Sequence, residues 1–109
     1  MNPINTTAQP EIIKAAVDKY NSYNNEWEKA YFDKFGGGYV VVNKQRIEHS
    51  KLSKNEKAKF DKEYEMSLVF VENGYQIELL EEIPRIPSPD ARINGMLADF
   101  SGFQDIIIS

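Results

Sequence analysis

Two acidic residues placed symmetrically about a turn signal are the residues best spaced for chemistry. They lie in Pro89 to Phe100, PDARINGMLADF. Asn94-Gly95 between two alternating runs is the pattern of a two-residue hairpin, because both turn positions need positive φ. Pairing outward from the turn sets Ile93 opposite Met96, Arg92 opposite Leu97, Ala91 opposite Ala98 and Asp90 opposite Asp99. Side chains directly opposite lie about 4.5–5.5 Å apart, and like charges at that range repel. A divalent cation is one way to offset the repulsion. Solvation at a sheet edge, or Arg92 lying between the two acids, is another.

Other candidates are fewer. His49, the single histidine, stands beside Ser50 in the polar stretch NKQRIEHSKL, read here as a loop. General acid–base work by His49 would need a partner within hydrogen-bond reach. Ser53-Lys54-Asn55-Glu56 is a capping box, with Ser53 capping the Glu56 amide and Glu56 able to reach back. Glu56 also lies four residues before Phe60, on the face that packs inward. Lys44, Arg46, Lys51, Lys54, Lys57, Lys59 and Lys62 fall within 19 positions, which suits either a phosphate-facing patch or a solvated helix face. Gly36-Gly37-Gly38 is followed by a strand and not by Lys-Ser or Lys-Thr opening a helix, so it is no phosphate loop.

These groups must be carried by a small set of elements. Residues 1–9 read as a loose terminus. From Pro10 to residue 35 the positions Ile13, Ala16, Tyr20, Tyr23, Trp27 and Tyr31 recur at three- and four-residue steps, predicting one long helix with Pro10 in its first turn. Tyr39 to Val42 is β-branched and predicts a strand. The capping box opens a second helix with Phe60, Tyr64, Leu68 and Val71 as its buried stripe, closed by Asn73-Gly74. Tyr75 to Leu80 predicts another strand. Pro84 and Pro87 make residues 81–88 a connector into the hairpin. Ile106-Ile107-Ile108 is a further buried strand or an exposed apolar tail.

With 109 residues, 41% hydrophobic and 28% charged, the chain has room for one domain, 1–109, and reads as neither disordered nor membrane-spanning. No apolar run approaches the roughly 18 residues of a membrane helix, and no signal-peptide pattern opens the chain, pointing to a cytoplasmic location. No cysteine is present, which removes disulfides and thiolate metal sites, and one histidine argues against a histidine-rich zinc site. A net charge of −4 disfavours nucleic-acid binding through bulk positive potential, but not a nuclease that holds metal with acids.

A helix with an inward acid, a strand, then a hairpin with Pro-Asp on one arm and an acid on the other resembles the PD-(D/E)xK nuclease core over about residues 53–101. Pro89-Asp90 stands where that motif has PD, and Asp99-Phe100 where it has the (D/E)x pair. From GGYVVVNKQRIEHSKLSKNEKAKF through ENGYQIELLEE to SPDARINGMLADF, the chain is also similar to nuclease-toxin-like domains of contact-dependent growth-inhibition toxins and of phage or mobile elements in Bacteroides-type bacteria. Some domains of that kind group with barnase- and RelE-like ribonucleases, which need no metal.

The resemblance implies an α+β domain of two helices on a mostly antiparallel sheet of four to five strands, with residues 36–109 as a restriction-endonuclease-like core incomplete at its C-terminus. It implies Asp90 and Asp99 as ligands of Mg²⁺ or Mn²⁺, Glu56 as a third acidic ligand, and phosphodiester hydrolysis of DNA or RNA. It further implies an immunity protein as partner, and delivery as part of a larger toxin. The motif's lysine belongs at position 101, where this chain has Ser101; Lys57, Lys59 or Lys62 is the possible replacement from the helix. Two alternatives stand beside this reading. One is a metal-independent toxin-type ribonuclease using His49. The other is a non-catalytic module that forms a homodimer through an exposed sheet edge.

Overall fold

The computed structural model describes residues 9–82 and 89–100. Among the described residues, three helices and a five-stranded sheet make an α+β fold. The elements are α1 (Pro10–Ser22), β1 (Trp27–Phe32), β2 (Tyr39–Asn43), α2 (Lys44–Ser50), α3 (Lys54–Glu72), β3 (Gln76–Leu79), β4 (Ala91–Ile93) and β5 (Met96–Ala98). The strands lie in the order β1-β2-β3-β4-β5. All neighbours are antiparallel except β2 and β3, which run parallel because α2 and α3 carry the chain across.

Alternation along the strands assigns the two faces. Val40, Val42, Ile77, Leu79 and Ala91 form the buried core with Val71 of α3 and Phe100. The opposite face carries Tyr39, Glu78 and Arg92 and is covered by α1: Tyr20 packs on Phe32 and Tyr39, and Tyr23 hydrogen-bonds Tyr39 and Glu78. Arg92 closes that network with a 2.7 Å bond to Glu78. Burial and the acceptor Glu78 push the Tyr23 hydroxyl far above the ordinary tyrosine pKa.

The single helix expected over 10–35 is instead a helix and a strand. α1 stops at Ser22, and Asn24 turns the chain, its Oδ1 accepting from the Glu26 amide at 2.9 Å. Trp27 and Tyr31 then belong to β1, with a bulge between Lys29 and Tyr31. A spacing of four fits both a helical turn and two strand repeats, so those aromatics continued the helical pattern without being helical. The glycine loop joins β1 to β2. A β-carbon at Gly38 would overlap the Val71 carbonyl oxygen and lie 2.9 Å from that of Tyr75, so only glycine lets β2 start against the end of α3.

The stretch after β2, expected as a loop, is α2. Asn43 caps it, its Oδ1 accepting from the Gln45 amide at 2.9 Å. Its buried positions are Arg46 and Ser50, polar residues that leave no hydrophobic periodicity. α3 opens on Ser53, whose Oγ accepts from the Glu56 amide at 3.1 Å. It closes on Gly74 at φ 87°, with the Gly74 amide bonded to the Val71 carbonyl and the Tyr75 amide to that of Phe70. Residues 1–8 of the loose terminus read over 1–9, most of the proline connector (83–88), Ser101 and the Ile106–Ile108 run lie outside the described residues.

Candidate functional site

Parallel β2 and β3 finish at the same end of the sheet, and the antiparallel hairpin starts and finishes there too. That end therefore collects Asn43 and α2, Glu82 just past β3, Asp90 just before β4 and Asp99 just after β5. The first half of α3 runs over the same end.

The hairpin has the expected register, with Ile93 opposite Met96, Arg92 opposite Leu97 and Ala91 opposite Ala98. Asn94 and Gly95 take φ of 51° and 84°. The Asp90 amide donates to the Ala98 carbonyl at 3.1 Å, and the Leu80 amide donates to the Asp90 carbonyl at 2.9 Å. Asp90 is at a bend before β4, so strand alternation does not dictate where its side chain points. Its carboxyl is hydrogen-bonded to that of Asp99. Burial, this hydrogen bond and the charges of Glu63 and Asp99 raise its pKa to about 6, with Lys59 pulling the other way.

The helix acid that acts on Asp90 is Glu63, two turns beyond Glu56 and about 10 Å further along the axis. Glu63 is buried, and Arg46 of α2 donates to its Oε1 at 2.9 Å. Burial raises the Glu63 pKa above the ordinary glutamate value even though Arg46 opposes it. Arg46 itself is buried under the Phe60 ring, its guanidinium carbon 5.0 Å from the ring centroid, and its Nη1 has no hydrogen-bond partner among the described residues.

Lys59 extends from the same helix and donates to both oxygens of Glu82, at 3.0 and 3.2 Å. Partial burial works against its charge, but Glu82, Glu63 and Asp90 outweigh it and hold its pKa above the usual lysine value. Burial likewise works to raise Glu82, and Lys59, Arg46 and His49 together bring it below the usual value.

Glu56 and His49 meet each other. The His49 Nε2 lies 3.0 Å from Glu56 Oε1 and 3.4 Å from Glu82 Oε2. Glu56 thus supplies its amide to the Ser53 cap while its carboxylate turns to α2. Of the four residues singled out in the sequence, Asp90 joins Asp99, and Glu56 joins His49. Glu63 and Glu82 were missed, whereas Arg46 stood only in the basic cluster and Lys59 only there and among the possible replacements for the motif lysine. The signal for Glu63 was its spacing: Glu63, Ser67 and Val71 fall at four-residue steps and are the buried positions of α3.

The arrangement is a group of acids held close together, with one buried arginine and one lysine set among them. It can bind a hard cation, share a proton between Asp90 and Asp99, and present an ammonium to an anion. Among the described residues no helix is long and apolar enough to cross a membrane. Comparisons with protein-family models, with curated proteins and with solved structures gave no match to this chain.

Proposed function

We propose that this end of the sheet is the centre of a metal-dependent nuclease of the PD-(D/E)xK kind. The carrying observation is the Asp90–Asp99 pair, two hydrogen-bonded carboxyls with the buried Glu63 charge nearby. Their oxygens are the hard donors that Mg²⁺ and Mn²⁺ prefer, and a pKa of about 6 leaves Asp90 able to release its proton at neutral pH. When bound, such a cation supplies an activated water and charge neutralisation at a phosphate.

Every other part of the reading concerns the chain's own groups. Asp90 and Asp99 hold the cation. Glu63, fixed by Arg46, adds negative charge behind them. Lys59 stands in for the lysine that position 101 does not supply, and its raised pKa keeps it cationic beside a scissile phosphate. The lysines on the outer side of α2 and α3, including Lys51, Lys54 and Lys57 around one shallow groove, are placed to meet a nucleic-acid backbone.

The test is cleavage of single- and double-stranded DNA and RNA with Mg²⁺ or Mn²⁺. Activity is expected to fall about 100-fold or more in Asp90→Asn and in Asp99→Asn. Cleavage that survives EDTA, or that both variants retain, overturns the reading. Survival in EDTA with loss in His49→Ala would instead favour the metal-independent ribonuclease.

One observation favours a second reading, the interaction module. Met96 and Leu97, on opposite faces of β5, are 74% and 62% exposed, two large apolar side chains left in solvent on the last described strand. Light scattering that finds a dimer, together with no cleavage under any metal condition, would select it.

A further inference from the structure

We propose that His49, Glu56 and Glu82 form a second cation site, distinct from the Asp90–Asp99 pair and suited to a zinc-like transition metal. Their three ligand atoms lie within 4.8 Å of one another. The Nε2 of His49 is 3.0 Å from one carboxylate oxygen and 3.4 Å from the other. A tetrahedral zinc with bonds of about 2.0–2.2 Å has ligand–ligand edges of about 3.3–3.6 Å. The two imidazole–carboxylate edges therefore need to change by only a few tenths of an ångström, and the third edge, Glu56 to Glu82, is no longer than 4.8 Å.

The donor set fixes the class of metal. Two carboxylates balance a divalent charge, and an imidazole nitrogen favours zinc, cobalt or nickel over magnesium and calcium. Three protein ligands leave a fourth position for water.

The supports are already built. His49 is in the last turn of α2 and Glu56 in the first turn of α3, two helices joined by a short link that Ser53 caps. Glu82 is held by Lys59, which donates to both of its oxygens, and its Oε2 is the one that faces His49. Such outer contacts orient metal ligands. A cleft lined by Gln45, Glu48, His49, Leu52, Glu81 and Glu82 opens the cluster to solvent, and its two further acids favour a cation's approach. The cationic groups beside the cluster, on the same two helices as His49 and Glu56, are Lys59 of α3 and Arg46 of α2. Both act on Glu82, and because Lys59 donates to the same Oε2 that faces His49, they temper the affinity for a cation.

An imidazolium bridging two carboxylates would show the same distances with no metal, so the test must separate the two. The full chain, dialysed against EDTA, is titrated with Co²⁺ as a spectroscopic stand-in for zinc. Expected are strong visible bands of tetrahedral Co²⁺ saturating at one equivalent and bleached by Zn²⁺. They should vanish in His49→Ala, weaken at least about 10-fold in affinity in Glu82→Gln, and persist in Asp90→Asn. Zn²⁺ should raise the melting temperature of the parent chain and leave His49→Ala unmoved. If His49→Ala does not fold, as circular dichroism would show, Glu82→Gln decides alone. Absent bands, bands that survive loss of His49, an unchanged Co²⁺ affinity in Glu82→Gln, or bands lost in Asp90→Asn overturn the site. The readout is independent of cleavage, so a failed nuclease assay does not touch it.

Discussion

Arg46 and Glu63 form a buried ion pair across α2 and α3, with an N–O distance of 2.9 Å and side chains only 2% and 3% exposed. Desolvating two charges consumes most of what their attraction returns, so the pair adds little net stability, but losing one partner strands the other. Glu63→Ala is expected to cost about 3–5 kcal/mol in urea unfolding, because Arg46 already has one unpartnered nitrogen. The double variant Arg46→Met, Glu63→Met should recover most of that loss; if it is no more stable than Glu63→Ala, the pair is not coupled.

Asp90 makes the fold sensitive to pH in an unusual direction. Its carboxyl holds its proton to about pH 6 when folded and releases it near pH 4 when unfolded. The proton therefore binds the native state more tightly, and the stability that Asp90 contributes is complete below about pH 4 and lost as pH rises through about 6. Asp90→Asn should be more stable than the parent by on the order of 1 kcal/mol at pH 8, after allowance for solvent screening, and show no such gain at pH 4. Unfolding midpoints at the two pH values check this.

Under the proposed nuclease reading, Lys59 acts through charge at a half-exposed position. Lys59→Met should leave stability within about 1 kcal/mol of the parent, since an exposed pair contributes little. It should lower kcat about 10- to 100-fold while KM stays nearly constant. A variant with full kcat would remove Lys59 from the reaction.

Gly38 is held between backbone atoms that have nowhere to go. Gly38→Ala places a methyl group against the carbonyl oxygens of Val71 and Tyr75, and about 3 kcal/mol or more of destabilisation is expected from overpacking. Gly95 offers the contrast, with φ 84° and open space around it. Gly95→Ala should cost about 1 kcal/mol, from backbone strain alone. Thermal melting of both variants distinguishes the two causes.

The parts legible in the sequence were those with strong local rules. Asn94-Gly95 set the hairpin and its register, Ser53 capped α3, and Gly74 closed it. What stayed hidden was the polar interior at the functional end. α2 buries Arg46 and Ser50, and α3 buries Glu63 and Ser67 beside Val71, so apolar periodicity passes over α2 and marks Phe60, Tyr64, Leu68 and Val71 as the buried stripe of α3. Of these Val71 is fully buried and the other three only partly. Glu56 drew notice because it stood in a capping motif, whereas Glu63 acts on Asp90 through a tertiary approach that no local pattern encodes. β1 was lost to an ambiguity of period at Trp27 and Tyr31.

Asn94 does more than reverse the chain. Its amide donates to the Gln76 carbonyl at 2.8 Å, and its Oδ1 accepts from the Gln76 amide at 2.8 Å, pinning the turn to the first residue of β3. The ribbon from Asp90 to Asp99 is thereby clamped at its tip and cannot slide along its neighbour. Adding or deleting one residue on either arm would turn every side chain beyond it to the other surface. The acid pair is thus a fixed-length cassette: evolution or an engineer can exchange the exposed side chain at Leu97 freely, but cannot alter its spacing without dismantling what its two ends bring together.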